Sequence, residues 1–355
     1  MSVPKRFPES LKVDGAPDGS VEERAKEIIA KDFAEAVGTG DSSLLDWKEV
    51  KGGITNRLLK IFKRDAPDEA VLVRVFGPKT EKMIDREREE KVLLHLSAKG
   101  FGASVLGIFE DGRIEQWLLG RTPEPLEMKK PEVAAQIAQA LQKFHASDAP
   151  PSVSLDRSCL WDTLHGWINA CRTAVKEADE GKDLRGKKLG VFDFERVAKE
   201  LDAAEKRAKT FSSPLVLCHN DLLSGNVFLK SGANGGVTFI DFEYSTCGER
   251  AFDIANHWCE CVGFECEWEN FHSEEEQRHF IRHYLSIHEG RDEEVERVRK
   301  EALAFVPVSH LFWGSWACLQ ALHSEIDFDF YGYGFKRLSA LFSSEPRSVF
   351  ASILA

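Results

Sequence analysis

Apolar positions recur with two different periods along this chain, and the change of period divides it. Val21, Ala25, Ile28, Ile29 and Phe33 fall on one side of a helical projection with charges opposite, which predicts an amphipathic helix over 21–36, packed or partner-facing. After Trp47 the pattern shortens to β-like runs. Leu58 to Phe62 and Val71 to Phe76 flank the polar turn Lys63 to Glu69 and read as a hairpin. A charged, apolar-striped helix is expected from Met83 to Ala98, followed by strands at Val105 to Phe109 and Ile114 to Leu119.

From Pro131 onward helical spacing dominates. Helices are expected over Val133 to His145, Leu160 to Ala178, Phe192 to Lys209, Arg250 to Val262, Glu274 to His288 and Glu293 to His323. Strands return only around residues 215–240. Gly120 to Met128, with one glycine and two prolines, discourages regular structure and reads as a link. The expected organisation is an N-terminal tail and helix over 1–46, a small β-rich lobe over 47–125 and a larger, mainly helical lobe over 126–355. The fold class is α+β, and no internal repeat is visible.

Composition narrows the possibilities. A chain of 355 residues with 43% hydrophobic content can bury one large core or two. No uninterrupted apolar run reaches membrane-spanning length, and Met1 to Asp18 is polar and proline-containing where a signal peptide would be apolar, so no transmembrane segment and a cytoplasmic location are expected. The formal charge of −12 argues against nucleic acid as a partner. The eight cysteines lie in core-like segments, which suits free thiols. Cys259, Cys261 and Cys266 lack the paired spacing of a structural zinc site.

The chemistry concentrates in one stretch. Leu215-Val216-Leu217 reads as a buried strand entering His219-Asn220-Asp221, with Asn226 five residues after Asp221. Val237 to Ile240 reads as a second strand delivering Asp241 at its exit, followed by Phe242, Glu243 and Tyr244. Phosphoryl transfer needs a carboxylate beside the attacking hydroxyl and two oxygen ligands for magnesium across the phosphates. Asp221, Asn226 and Asp241 have the right types for these tasks; an Asx-rich surface turn is the plainer alternative.

Upstream, Gly52-Gly53-Ile54-Thr55-Asn56 lies between β-like runs, where paired glycines let backbone N–H groups approach phosphate oxygens; a simple hairpin turn has the same signature. Arg74 sits among hydrophobes on a strand and needs an anion if it faces inward. The nucleotide phosphates, or Glu89 on the following helix, would supply one; an edge-strand arginine facing water is the alternative. Gln116 and Trp117 end a strand where adenine would take backbone hydrogen bonds.

Taken together these stretches resemble the choline and ethanolamine kinase family, which shares the protein-kinase-like fold with aminoglycoside phosphotransferases. The matching segments are Gly-Gly-Ile-Thr-Asn (52–56), Val-Leu-Val-Arg-Val-Phe-Gly (71–77), Gly-Arg-Ile-Glu-Gln (112–116) and His-Asn-Asp-Leu-Leu-Ser-Gly-Asn (219–226). They continue with Ile-Asp-Phe-Glu-Tyr (240–244), Phe-Asp-Ile-Ala-Asn-His (252–257) and Ser-His-Leu-Phe-Trp-Gly-Ser-Trp (309–316). The resemblance runs from about residue 47 to 342. It implies a protein-kinase-like two-lobed fold and ATP and Mg2+ as cofactors. It further implies Asp221 as the group that accepts or orients the hydroxyl proton, Asn226 and Asp241 as magnesium ligands, and Glu243 reaching a metal-bound water. It puts Gly53, Thr55 and Asn56 over the nucleotide, Arg74 on the phosphates with Glu89 as its helix partner, and Gln116 at the base. Arg250 and Asp253 match an element used near the site, with buried ion pairing as the alternative. A homodimer would be unsurprising.

For the acceptor, the resemblance places Trp313, Trp316, Phe328, Phe330, Tyr333 and Glu260 in an amino-alcohol pocket. Trp313 and Trp316, three apart, would share a helix face and form part of a cationic cage worth about 0.5–2 kcal/mol per contact. A quaternary head has no N–H donors, whereas a primary ammonium has three, so acids near the pocket favour ethanolamine. The segments 261–268 and 326–330, rich in Glu and Asp, lean that way. The implied activity is phosphorylation of ethanolamine, opening phosphatidylethanolamine synthesis by the CDP-ethanolamine route. The alternatives are a choline or dual-specificity kinase and, more remotely, a catalytically silent scaffold. A protein kinase lacks support because no Ala-Pro-Glu follows Asp241. Against an aminoglycoside enzyme stand the tryptophans and the 328–333 segment. Two departures from the family stand out: Cys247-Gly248-Glu249 replaces Tyr-Asn-Tyr, expected to add flexibility and negative charge, and Gly102-Ala103-Ser104 lacks a proline, expected to change only a loop.

Overall fold

The computed structural model of the chain describes residues 3–12, 20–50, 56–77, 86–182, 184–232, 235–324 and 326–342. Two compact units emerge, one from residues 1–121 and 228–243, the other from 122–227 and 244–355. In chain order the first contributes β1 (Lys5–Arg6), α1 (Ser20–Asp32), α2 (Ala34–Val37), β2 (Leu45–Glu49), β3 (Asn56–Lys63), β4 (Ala66–Phe76), α3 (Arg86–Ala98), β5 (Val105–Phe109), β6 (Gly112–Gln116) and β7 (Gly120–Arg121). The second begins with α4 (Pro131–His145), α5 (Leu160–Asp179), α6 (Phe194–Lys209) and β8 (Leu215–Cys218). The hairpin β9 (Val227–Lys230) and β10 (Gly236–Phe239) returns to the first. The rest, β11 (Thr246–Glu249), α7 (Arg250–Glu260), α8 (Glu274–Tyr284), α9 (Asp292–Leu303), α10 (Val306–His323) and α11 (Phe330–Ala340), completes the second.

The sheet unit is built on a six-stranded sheet in the order β1-β5-β6-β4-β3-β2, with β1 parallel to β5 and the register-assigned pairs from β2 to β6 antiparallel. The β3–β4 hairpin turns more tightly than expected, with Lys63 opposite Ala66 across Arg64-Asp65. Alternation along β4 buries Val71, Val73 and Val75, and Leu11, Ala25, Ile29, Val37 and Leu45 join them in one hydrophobic core. The segment expected to precede the sheet as a tail and helix therefore belongs to that core. The smaller sheet β10-β9-β7 carries Asp241 just beyond β10. Gly102 closes against it: its φ of +67 lies in the left-handed region, and a Cβ there would lie 3.0 Å from the Phe242 ring and 3.2 Å from the Phe239 carbonyl oxygen.

In the helical unit β8 pairs antiparallel with β11, Thr246 opposite Cys218 and Glu249 opposite Leu215. The stretch 247–249, expected to be flexible and negatively charged, is thus a paired strand. The Glu249 carboxylate accepts bonds from Ser158 Oγ and Trp161 Nε1, both at 2.7 Å. The single helix expected over 293–323 is broken between Leu303 and Val306, where Pro307 occupies the first turn of α10. By length and composition Asp292–His323 would suffice to cross a membrane, yet 94% of its apolar window is buried inside the protein, as in a core helix. Helix α11, absent from the sequence expectation, lies close against α10 because Gly334 leaves room for the Gly314 carbonyl, which would stand 3.3 Å from a Cβ. All eight cysteines are unbridged.

Candidate active site

Strand β8 delivers His219 into a loop whose backbone is gripped by α7. Asp253, Asn256 and His257, at i, i+3 and i+4, share one face of that helix. The Asp253 carboxylate accepts the backbone N–H of His219 and of Asn220, each at 2.6 Å. Asn256 Nδ2 donates to the Asn220 carbonyl at 3.1 Å, and His257 Nδ1 donates to the Leu222 carbonyl at 3.1 Å. Asn220 adopts φ +68, and its side chain donates to the Tyr244 carbonyl at 2.8 Å. His219, Asn220, Asp253, Asn256 and His257 are all buried, so the bonds between the loop and α7 form where water cannot compete for the donor.

This grip fixes the next residue. Asp221, 7% exposed, accepts from Asn226 Nδ2 at 2.7 Å, and the same amide nitrogen donates to the Asp221 carbonyl at 2.9 Å. Both bonds use the Asn226 nitrogen and leave its carbonyl oxygen as a hard ligand atom. Asn226 ends the short turn Ser224–Asn226 one residue before β9.

The same unit holds the aromatic residues expected to receive an amino alcohol. Trp313 meets Tyr244 edge-on with centroids 5.5 Å apart and Trp316 at 5.3 Å; Trp316 meets Phe330 at 5.5 Å. Trp316 Nε1 donates to the Tyr244 hydroxyl at 2.8 Å, and Trp313 Nε1 donates to Asn256 Oδ1 at 2.7 Å. Asn256 therefore bonds both the loop before Asp221 and the aromatic wall. Phe328 packs on Phe330 and Tyr333, with centroids 4.8 and 6.0 Å away.

The acids expected to add charge to this pocket are otherwise engaged. Glu260 is paired with Arg337 at 2.8 Å, both buried, and Arg337 also donates to the Tyr333 hydroxyl at 3.0 Å. Asp329 caps α11 through the Gly332 N–H, and Glu265 is exposed and paired with Lys336. Arg250, considered for the site, pairs with Glu301 at 3.0 Å.

In the sheet unit β4 and β6 bring Arg74 and Arg113 opposite each other. Arg74 binds Asp241 at 3.1 Å and Glu115 at 3.4 Å. Glu89, the partner expected for Arg74, is clamped by Arg113 at 2.7 Å and by Arg86. Burial works against the Glu89 charge, but the two guanidiniums hold its pKa below the ordinary carboxylate value. Glu243, also buried, is pushed up to about 8 by desolvation and by the nearby Asp241 and Glu89 carboxylates. Asp241, at φ +66, has one carboxylate oxygen, Oδ1, buried without a hydrogen-bond partner. Such an oxygen fits a hard cation.

The residues expected to cover the nucleotide are described only in part. Gly53 and Thr55 lie outside the described residues, while Asn56 is buried at the start of β3 opposite Phe76. Gln116 is exposed at the end of β6, and its N–H already donates to the Ser104 carbonyl at 2.8 Å. Sequence reasoning passed over Asn256 and His257. The signal was present, since three polar residues at i, i+3 and i+4 within an apolar helix must find buried partners.

A β-sheet unit and a mainly helical unit, each carrying its own acids, are the parts of a protein-kinase-like fold. The sequence profile of choline/ethanolamine kinases matches residues 47–342. A probable ethanolamine kinase of Arabidopsis thaliana is 40% identical over 325 residues, covering 90% of this chain and 84% of that protein. A probable choline kinase from the same plant is 30% identical, covering 92% and 93%. The structure of a Plasmodium vivax ethanolamine kinase superposes with a TM-score of 0.81 at 30% identity, covering 97% of this chain and 93% of that one. The chain belongs to the choline/ethanolamine kinase family, and it is a small-molecule kinase.

Proposed function

We propose that this enzyme transfers the γ-phosphoryl group of ATP to the hydroxyl of ethanolamine, giving ADP and phosphoethanolamine, a headgroup precursor for phosphatidylethanolamine. The observation that carries the reading is the Asp221 carboxylate, held by Asn226 in a loop that Asn256 ties to the Trp313 and Trp316 wall. The ammonium head rests on the indole faces, and Asp221 takes the hydroxyl proton as the oxygen attacks phosphorus and the bond to the ADP oxygen breaks. Asn226 and Asp241 would hold Mg2+, with Glu243 reaching it through water; when bound, the ion draws charge from the phosphate oxygens. Arg74 serves the nucleotide phosphates together with Gly53, Thr55 and Asn56, with Glu89 holding the arginine network and Gln116 near the base.

The choice of ethanolamine rests on the 40%-identical relative. Choline is the second reading, favoured by one observation: the wall is aromatic and Glu260, the buried acid expected in the pocket, is neutralised by Arg337. Phe328 and Tyr333 serve either head. Eight unbridged cysteines favour a cytoplasmic location. Phosphorus NMR of a reaction with magnesium-ATP and ethanolamine tests the activity. A phosphomonoester product from the wild type, lost in a folded Asp221→Asn variant, is expected; equal product from both would overturn the reading.

A further inference from the structure

Three buried side chains of the helical unit form a chain of bonds that ends on the loop before Asp221. The hydroxyl of Tyr284, on α8, is 2.8 Å from His145 Nδ1 at the end of α4. His145 Nε2 is 3.0 Å from Asp253 Oδ2, the oxygen that also receives the His219 N–H. Asp253 Oδ1 receives the Asn220 N–H. Tyr284 is 5% exposed, His145 7% and Asp253 fully buried, so none of the three is arranged by water.

The donors and acceptors admit one assignment for a neutral imidazole. An ionised Asp253 only accepts, so His145 Nε2 carries the proton; Nδ1 then accepts, and the Tyr284 hydroxyl donates. Burial pushes the Tyr284 pKa up, which keeps the hydroxyl protonated as that assignment requires. The Cys218 thiol, His145 and Asp253 also bring three potential metal-ligand atoms within 4.8 Å. A metal does not suit them. The nitrogen and oxygen stand at hydrogen-bonding distance, both Asp253 oxygens already receive N–H donors, and the thiol, its pKa raised by burial, donates to the Glu249 carbonyl.

We propose that Tyr284 and His145 are positioning residues for phosphoryl transfer: they lock the Asp253 carboxylate in the rotation that lets its two oxygens hold consecutive backbone N–H groups, and so aim Asp221. Without the third bond the carboxylate rotates more freely, and the loop loses its fixed pitch while the ATP and amino-alcohol contacts stay. This inference rests on the kinase reading given above, in which Asp221 serves the acceptor hydroxyl.

Steady-state kinetics of full-length wild type, Tyr284→Phe, His145→Ala and His145→Gln test it, with thermal melting and nitrogen NMR of the histidines. Tyr284→Phe should lower kcat about three- to tenfold and His145→Ala about tenfold or more, with KM for ATP and ethanolamine unchanged within twofold. Glutamine places an amide N–H near the position of Nε2, so His145→Gln should recover most of the loss. The His145 resonances should report the Nε2–H form in the wild type and, in Tyr284→Phe, the same tautomer with the Nδ1 signal moved by the loss of its donor. Unchanged kcat in Tyr284→Phe, no recovery by His145→Gln, or a loss confined to KM would each overturn the proposal. If His145→Ala does not fold, Tyr284→Phe, which removes only one oxygen, decides the matter. An inactive wild type would refute the kinase reading instead.

Discussion

Asn256 is the sharpest place to perturb this enzyme, because one fully buried amide ties the loop before Asp221 to the aromatic wall. Its nitrogen serves the Asn220 carbonyl, and its oxygen accepts from Trp313 Nε1 at 2.7 Å and from Ser309 Oγ at 2.8 Å. Alanine would orphan the Asn220 carbonyl and the indole N–H, at about 1–3 kcal/mol each. That is a large share of a typical domain's roughly 5–15 kcal/mol of stability, so Asn256→Ala should melt markedly earlier than the wild type. Aspartate is the more informative substitution. It is nearly isosteric and still accepts from Trp313 and Ser309, but it turns an oxygen toward the Asn220 carbonyl where a donor stood. The damage then falls on the loop. A loss of about 1–3 kcal/mol in positioning corresponds to a roughly five- to 150-fold fall in kcat. The KM for the amino alcohol should move less than about threefold, since the wall keeps its bonds. Initial-rate kinetics on folded protein measure both. Wild-type kcat in Asn256→Asp, or a raised KM with kcat intact, would refute the claim that this residue aims the loop.

Other outcomes follow from buried charge. Arg337→Met leaves the Glu260 carboxylate buried without its partner and should cost about 3–5 kcal/mol of stability, most of it regained in the Glu260→Gln, Arg337→Met double variant; urea midpoints decide, and additive losses would contradict the pairing. Acid should destabilise the fold through three buried histidines, whose combined effect outweighs the opposite one of Glu243, a single carboxyl whose raised pKa favours the folded state as pH falls. Burial lowers the pKa of His257 from 6.5 to about 4 and holds His272 and His310 well below the ordinary value. The unfolded chain therefore binds protons near pH 6.5 that the folded chain refuses until about pH 4, so stability falls as pH drops through that window. His257 alone contributes about 3 kcal/mol. Urea midpoints that stay level between pH 7 and pH 5 would contradict this.

Much of the architecture was legible because it depends on period. The β3–β4 hairpin, α4, α5, α6 and the strand before His219 follow from spacing of apolar residues, and the chemical types of Asp221, Asn226 and Asp241 mark the site in one dimension. What sequence could not give is partner choice. Arg74 faces inward as alternation required, yet which of several buried acids it meets depends on how β4, β6 and the turn after β10 converge; it meets Asp241 and Glu115. The acids of 260–268 read as pocket charge, but α11 brings Arg337 and Lys336 to Glu260 and Glu265. That helix was hidden by two glycines, which lower helix propensity while permitting close packing on α10. Strand β11 was hidden in the same way, since its four residues include a glycine and gain their order from β8.

The most direct test of the account is the ratio of specificity constants for ethanolamine and choline, from initial rates of ADP release with magnesium-ATP. The account predicts that ethanolamine is preferred by at least about tenfold, equivalent to about 1.4 kcal/mol of transition-state discrimination. An equal or greater kcat/KM for choline would contradict it, and would mean that the aromatic wall of Tyr244, Trp313, Trp316 and Phe330 sets the preference without help from any acid.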